Sequence, residues 1–111
     1  MVQGTDRPDV GGDSFFRILD PRLNIFALAN GMDLEKGGGV RRLTWFRDGS
    51  ERGIRLTESP DGIVSITPQA WRPGHEDSER RSAAATELAE ADLAREIGPV
   101  LEQAVEVANN L

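Results

Sequence analysis

Between residues 37 and 62 the chain is broken three times by clusters of turn-forming residues: Gly37-Gly38-Gly39, Asp48-Gly49-Ser50 and Ser59-Pro60-Asp61-Gly62. Glycine enters positive φ without a Cβ penalty, Asp tolerates it, and proline presets the first corner of a turn. The runs between the clusters are of strand length. Residues 40–47 form the best strand, residues 53–58 alternate Ile54 and Leu56 with Arg55 and Thr57, and residues 63–67 are β-branched except at Ser65. Connections this short can join only antiparallel neighbours. The expected centre of the fold is an antiparallel meander of three or four strands, with residues 32–36 as the fourth.

Helical patterns flank the meander. Asp20-Pro21 reads as an N-cap followed by proline at the first helical position, Leu23, Phe26 and Ala27 share a face, and Gly31 is placed to close the helix. A short helix over residues 21–30 follows. Residues 1–12 are polar and glycine-rich, and are expected to form a flexible tail before a single domain of residues 13–111.

Residues 68–75 read as a loop into a long C-terminal helical region starting near Asp77 or Ser78, with Ala83, Ala84 and Ala85 as strong helix formers. There Leu93, Ile97, Val100, Ala104, Val107 and Leu111 recur at intervals of four and three. Pro99 lacks an amide hydrogen and crowds the carbonyl of Arg95, so a kink or break is expected near Gly98. The fold class is therefore α+β, with helices gathered on one face of an antiparallel sheet.

Composition narrows the chemistry. The 111 residues contain no Cys and one His, which excludes disulfides, thiolate metal sites and multi-histidine sites. No stretch reaches the roughly 18 consecutive apolar residues of a membrane span, and the first residues lack the basic-then-apolar order of an export signal. A cytoplasmic setting and no membrane partner are expected. Twelve of the thirteen bases are Arg, as in proteins of GC-rich bacteria.

The net charge of −6 is uneven: residues 40–72 carry six bases and four acids, whereas residues 76–111 carry three bases and nine acids. Net acidity disfavours a general nucleic-acid binder, because phosphate affinity draws on clustered Lys and Arg.

Four groups of residues could carry function. His75, the single histidine, stands beside Glu76 and Asp77 and is of the residue type used for general acid–base work, but no nucleophile sits in an elbow that would use it. Lys36 precedes Gly37-Gly38-Gly39 instead of following, so the phosphate-loop pattern is missing. Arg41, Arg42, Arg47, Arg52 and Arg55, with Trp45 among them, suggest either a partner-binding face on the central strands or a solvated sheet face with ion pairs to the acidic helix. The stripe containing Leu93, Ile97, Val100, Leu101, Ala104 and Leu111 is expected to pack against its own sheet, and could alternatively pair with a twin helix across a two-fold axis.

The reading these residues favour is a small non-catalytic protein-binding or regulatory module, with a protein partner or self-association and no cofactor. A second reading is a ligand-binding protein or enzyme with a pocket lined by Phe26, Trp71 and His75. A third is single-stranded nucleic-acid binding through the Arg-rich strands.

Overall fold

The computed structural model describes residues 10–111, with side chains from Phe16 onward. The element order is α1 (Val10–Asn30), β1 (Asp33–Gly37), β2 (Val40–Arg47), β3 (Ser50–Glu58), β4 (Ile63–Trp71), α2 (Glu76–Glu79), β5 (Arg81–Ser82), β6 (Thr86–Ala89) and α3 (Glu90–Asn109). This is the expected α+β arrangement: an N-terminal helix, an antiparallel meander and a long C-terminal helix. Among the described residues no helix is long and apolar enough to cross a membrane.

The three glycine-bearing turns make the meander. Asp48 and Gly49 adopt φ of 55° and 77° between the paired residues Arg47 and Ser50. Two consecutive positive φ values in a two-residue loop match the right-handed twist of the flanking strands, which is why Asp-Gly closes this hairpin. Gly38, at φ 56°, turns β1 into β2, and Gly62, at φ 78°, turns β3 into β4.

Helix α1 ends as its sequence requires. Gly31 takes φ 66°, and the Met32 amide donates to the Ala27 carbonyl at 2.9 Å. This is the Schellman arrangement, which satisfies a carbonyl that would otherwise be orphaned. The start of α1 differs from expectation: Pro21 lies inside the helix, not at its first turn. Val10, Gly11 and Gly12 belong to α1, and the rest of the segment expected as a tail, residues 1–9, lies outside the described residues.

The second half of the sheet also departs from expectation. β4 runs on through Pro68 to Trp71, where a loop was expected. The segment expected to begin the C-terminal helix forms one turn at Glu76–Glu79, then an edge strand, and the helix starts only at Glu90. Pro68 explains how the edge is built. Its carbonyl accepts from the Ala83 amide at 3.0 Å, so its nitrogen faces the same edge with no hydrogen to donate. Gln69 pairs with Ser82 and Ile66 with Thr86, so Thr67 and Pro68 lie opposite Ala83, Ala84 and Ala85. A one-residue bulge therefore divides β5 from β6 where the ladder lacks its donor.

Strand alternation sorts the sheet into two faces. Leu34, Leu43, Ile54, Leu56, Val64 and Ile66 point to the helices, where Phe16, Leu19, Leu23 and Ala27 of α1 and Leu93, Ile97, Leu101 and Ala104 of α3 meet them in one core. Each fully buried Leu or Ile is worth about 1.5–3 kcal/mol of transfer free energy. The opposite face carries Glu35, Arg42, Thr44, Phe46, Glu51, Gly53, Arg55, Thr67, Gln69 and Trp71.

Candidate interaction surfaces

The arginines of the central strands do not share a surface. Arg41 and Arg47 are odd-numbered members of β2 and point to the helices with Trp45, whereas Arg42 and Arg55 are cross-strand neighbours on the other face. The period of two that makes a strand also divides this cluster. Arg52, half-way along the expected cluster, is only 6% exposed and lies under α3.

On the helix side these residues hold the layers together. Arg41 grips Asp20 of α1 through Nε at 2.8 Å and Nη2 at 3.2 Å, with its guanidinium 4.0 Å from the centre of the Phe16 ring. Trp45 donates from Nε1 to Asn109 Oδ1 at 2.9 Å, joining β2 to the end of α3. Arg47 is exposed at the hairpin, 3.6 Å from Asp48.

On the other face Arg42 is the hub. It donates to Glu35 at 3.1 Å, pairs with Glu76 of α2, and lies over the Trp71 ring at 5.4 Å. Burial alone would lower its pKa, but the charges of Glu35 and Glu76 outweigh burial and hold the guanidinium above its ordinary value. Trp71 lies across Gly53, and its Nε1 donates to Glu51 Oε1 at 2.8 Å. Arg55 is exposed and has no ion pair among the described residues. Together these contacts fasten the α2 turn over the sheet's outer face.

Phe26, Trp71 and His75 do not line one pocket. Phe26 packs against the core beneath the helices, while Trp71 is on the opposite face of the sheet. His75 precedes α2, exposed, in an open hollow it shares with Glu51, Trp71 and Glu76. Its Nδ1 is 3.9 Å from Glu79, and Ser78 donates its hydroxyl to the backbone carbonyl of His75 at 3.4 Å, a turn contact that does not involve the imidazole. Among the described residues no group of three His, Asp or Glu side chains is placed to hold a metal ion.

The α3 stripe is spent within the chain. Leu93, Ile97, Leu101, Ala104 and Ala108 are buried, and Val100, Val107 and Leu111 flank them half-buried. The stripe faces its own sheet, the ordinary place for it, with positions 101 and 108 buried in place of 100 and 107. It is unavailable for pairing without opening the core.

The surface that sequence reasoning passed over is on α1. Ile18, Ile25 and Leu28 are 37%, 68% and 84% exposed. At 100° per residue they fall, with Pro21 and Ala29, inside an arc of about 100°, directly opposite Phe16, Leu19, Leu23 and Ala27. The helix is apolar on both sides. The signal is present in the sequence as Ile18, Ile25 and Leu28 at intervals of seven and three, in addition to the second apolar stripe of the same helix. Neither a family model, nor a curated protein, nor a solved structure matches this chain.

Proposed function

We propose that this chain is a small non-catalytic protein-binding module whose docking surface is the solvent side of α1. One observation carries the reading: Ile25 and Leu28 stand 68% and 84% exposed on a helix whose other side is buried in the core. A helix with apolar stripes on two sides ordinarily has both of them covered. Three large aliphatic side chains in one stripe form a contiguous patch of the kind that marks interaction sites, unlike an isolated exposed residue such as Phe46.

The remaining polar groups support this reading by having structural work. Arg41, Arg42, Arg52 and Trp45 are engaged in contacts between layers, and the α3 stripe fills the core, which favours α1 over the Arg-rich strands and the C-terminal helix as the docking face. A cytoplasmic setting, in keeping with a cysteine-free chain, belongs to the same proposal.

The test is affinity capture from the producing host with the native chain and with the Ile25→Asp/Leu28→Asp variant. The native chain is expected to retain a stoichiometric protein that the variant loses while keeping the native circular dichroism spectrum. Retention of the same proteins by both would count against α1 as the docking surface.

A further inference from the structure

The charges beside the α1 stripe specify its partner, and this step rests on the reading of that stripe as a protein-docking surface. Arg17 and Arg22 are exposed on either side of Ile18, Pro21, Ile25 and Leu28, and neither forms an ion pair among the described residues. Asp20, the one acid of α1 whose side chain is described, is already held by Arg41 at 2.8 Å and approached by Lys36 at 3.9 Å. The stripe therefore has an apolar centre and a basic collar, in a chain whose net charge is −6.

We propose that the α1 face receives an acidic amphipathic helix of a different protein: aliphatic side chains settle between Ile18, Ile25 and Leu28, and carboxylates on the flanks of that helix meet Arg17 and Arg22. Helix-on-helix docking suits the spacing, because anchors at i, i+7 and i+10 present one seam along about three turns. Unpaired guanidiniums at the rim add orientation and association rate, and penalise a basic competitor.

A second copy of this chain is a poorer occupant. Antiparallel pairing of two α1 helices through the stripe would crowd both copies of Arg17 and Arg22 around one small apolar patch, with no described carboxylate on either helix free to separate them. A lipid surface is poorer too. The stripe has no Trp or Phe to sit at a headgroup boundary, and the net charge of the whole chain opposes an anionic bilayer.

The experiment uses the isotope-labelled full chain and two stapled helical peptides that share one Leu/Ile face, one with a Glu/Asp polar face and the other with Lys. Phosphatidylglycerol vesicles form a third arm. The acidic peptide is expected to shift amides across residues 17–29 and to bind at least ten-fold more tightly than the basic one. Ile25→Asp/Leu28→Asp should weaken it ten-fold or more, and Arg17→Glu/Arg22→Glu should reverse the preference between the peptides.

Equal binding of both peptides, preference for the basic one, or binding of neither would overturn the acidic-helix proposal. If neither peptide binds but a host protein is still lost on Ile25→Asp/Leu28→Asp substitution, the docking surface stands and only its partner's chemistry is wrong. Response of the same amides to vesicles and not to the peptides would overturn the proposal in favour of a lipid surface. Concentration-dependent self-association lost in Leu28→Asp would overturn it in favour of a second copy.

Discussion

Arg52, buried on the helix-bearing face of β3, donates from Nη1 to the carbonyl of Ala108 in the last turn of α3. No basic residue occupies that turn, so the strand supplies the positive charge that the helix itself lacks. The contact is incomplete, because Arg52 Nε is buried with no hydrogen-bond partner, and the Leu111 amide also bonds Ala108 at 3.2 Å.

Replacement by Arg52→Met keeps the apolar stem and removes the charge and the donor. The lost dipole interaction is offset in part by relief of a buried, half-satisfied guanidinium, so a net cost of about 1 kcal/mol is expected. Amide exchange should accelerate in residues 105–111 more than elsewhere. Unchanged protection there would mean that the cap contributes nothing.

Gly53 is needed for the space it leaves. A Cβ at this position would meet Trp71 Cη2 at 3.1 Å and the Leu43 carbonyl oxygen at 3.2 Å. The carbonyl belongs to the neighbouring strand and cannot retreat without disturbing the ladder. Gly53→Ala should therefore cost about 1–3 kcal/mol, read as a lower urea midpoint. A midpoint at or above that of the native chain would contradict the crowding.

Two leucines on two helices should respond in opposite ways. Leu101 is 1% exposed in the core, and Leu101→Ala should cost about 2–5 kcal/mol. Leu28 is 84% exposed, and Leu28→Ala should stay within about 0.5 kcal/mol of the native chain. Thermal or urea denaturation of the two variants side by side checks both, and comparable losses would show that Leu28 has structural work.

Arg42 fastens α2 more by geometry than by energy. Its side chain is 25% exposed and that of Glu76 is 28% exposed, so water and salt weaken the pair. Arg42→Met should cost less than about 1 kcal/mol. In a Trp45→Phe background, where Trp71 is the single fluorophore, its emission should move to longer wavelength as the α2 turn loosens. An emission spectrum unchanged by the substitution would show that α2 is held by other contacts.

The hairpin turns were legible because their chemistry is local: a two-residue hairpin loop needs positive φ, Asp48-Gly49 tolerates it, and Gly31 closes α1 by the same logic. The segment around Ala83, Ala84 and Ala85 was not legible, because alanine's helix propensity is overridden there by the open hydrogen-bonding edge of β4. That edge becomes visible only once β4 is known to continue past Pro68. The arginines misled for a related reason, since adjacency in sequence sends Arg41 and Arg42 to opposite faces of one strand. The α1 surface required knowing which of two apolar faces the sheet would take.

Photocrosslinking in the producing host tests the docking surface most directly. A benzoylphenylalanine is placed at Leu28 in one strain and at Gln103, an exposed position of α3, in another. The expected result is a discrete covalent adduct with another protein from position 28 and none from position 103. Adducts of the same pattern from both positions, or none from position 28, would contradict the assignment of α1 as the surface through which this chain acts.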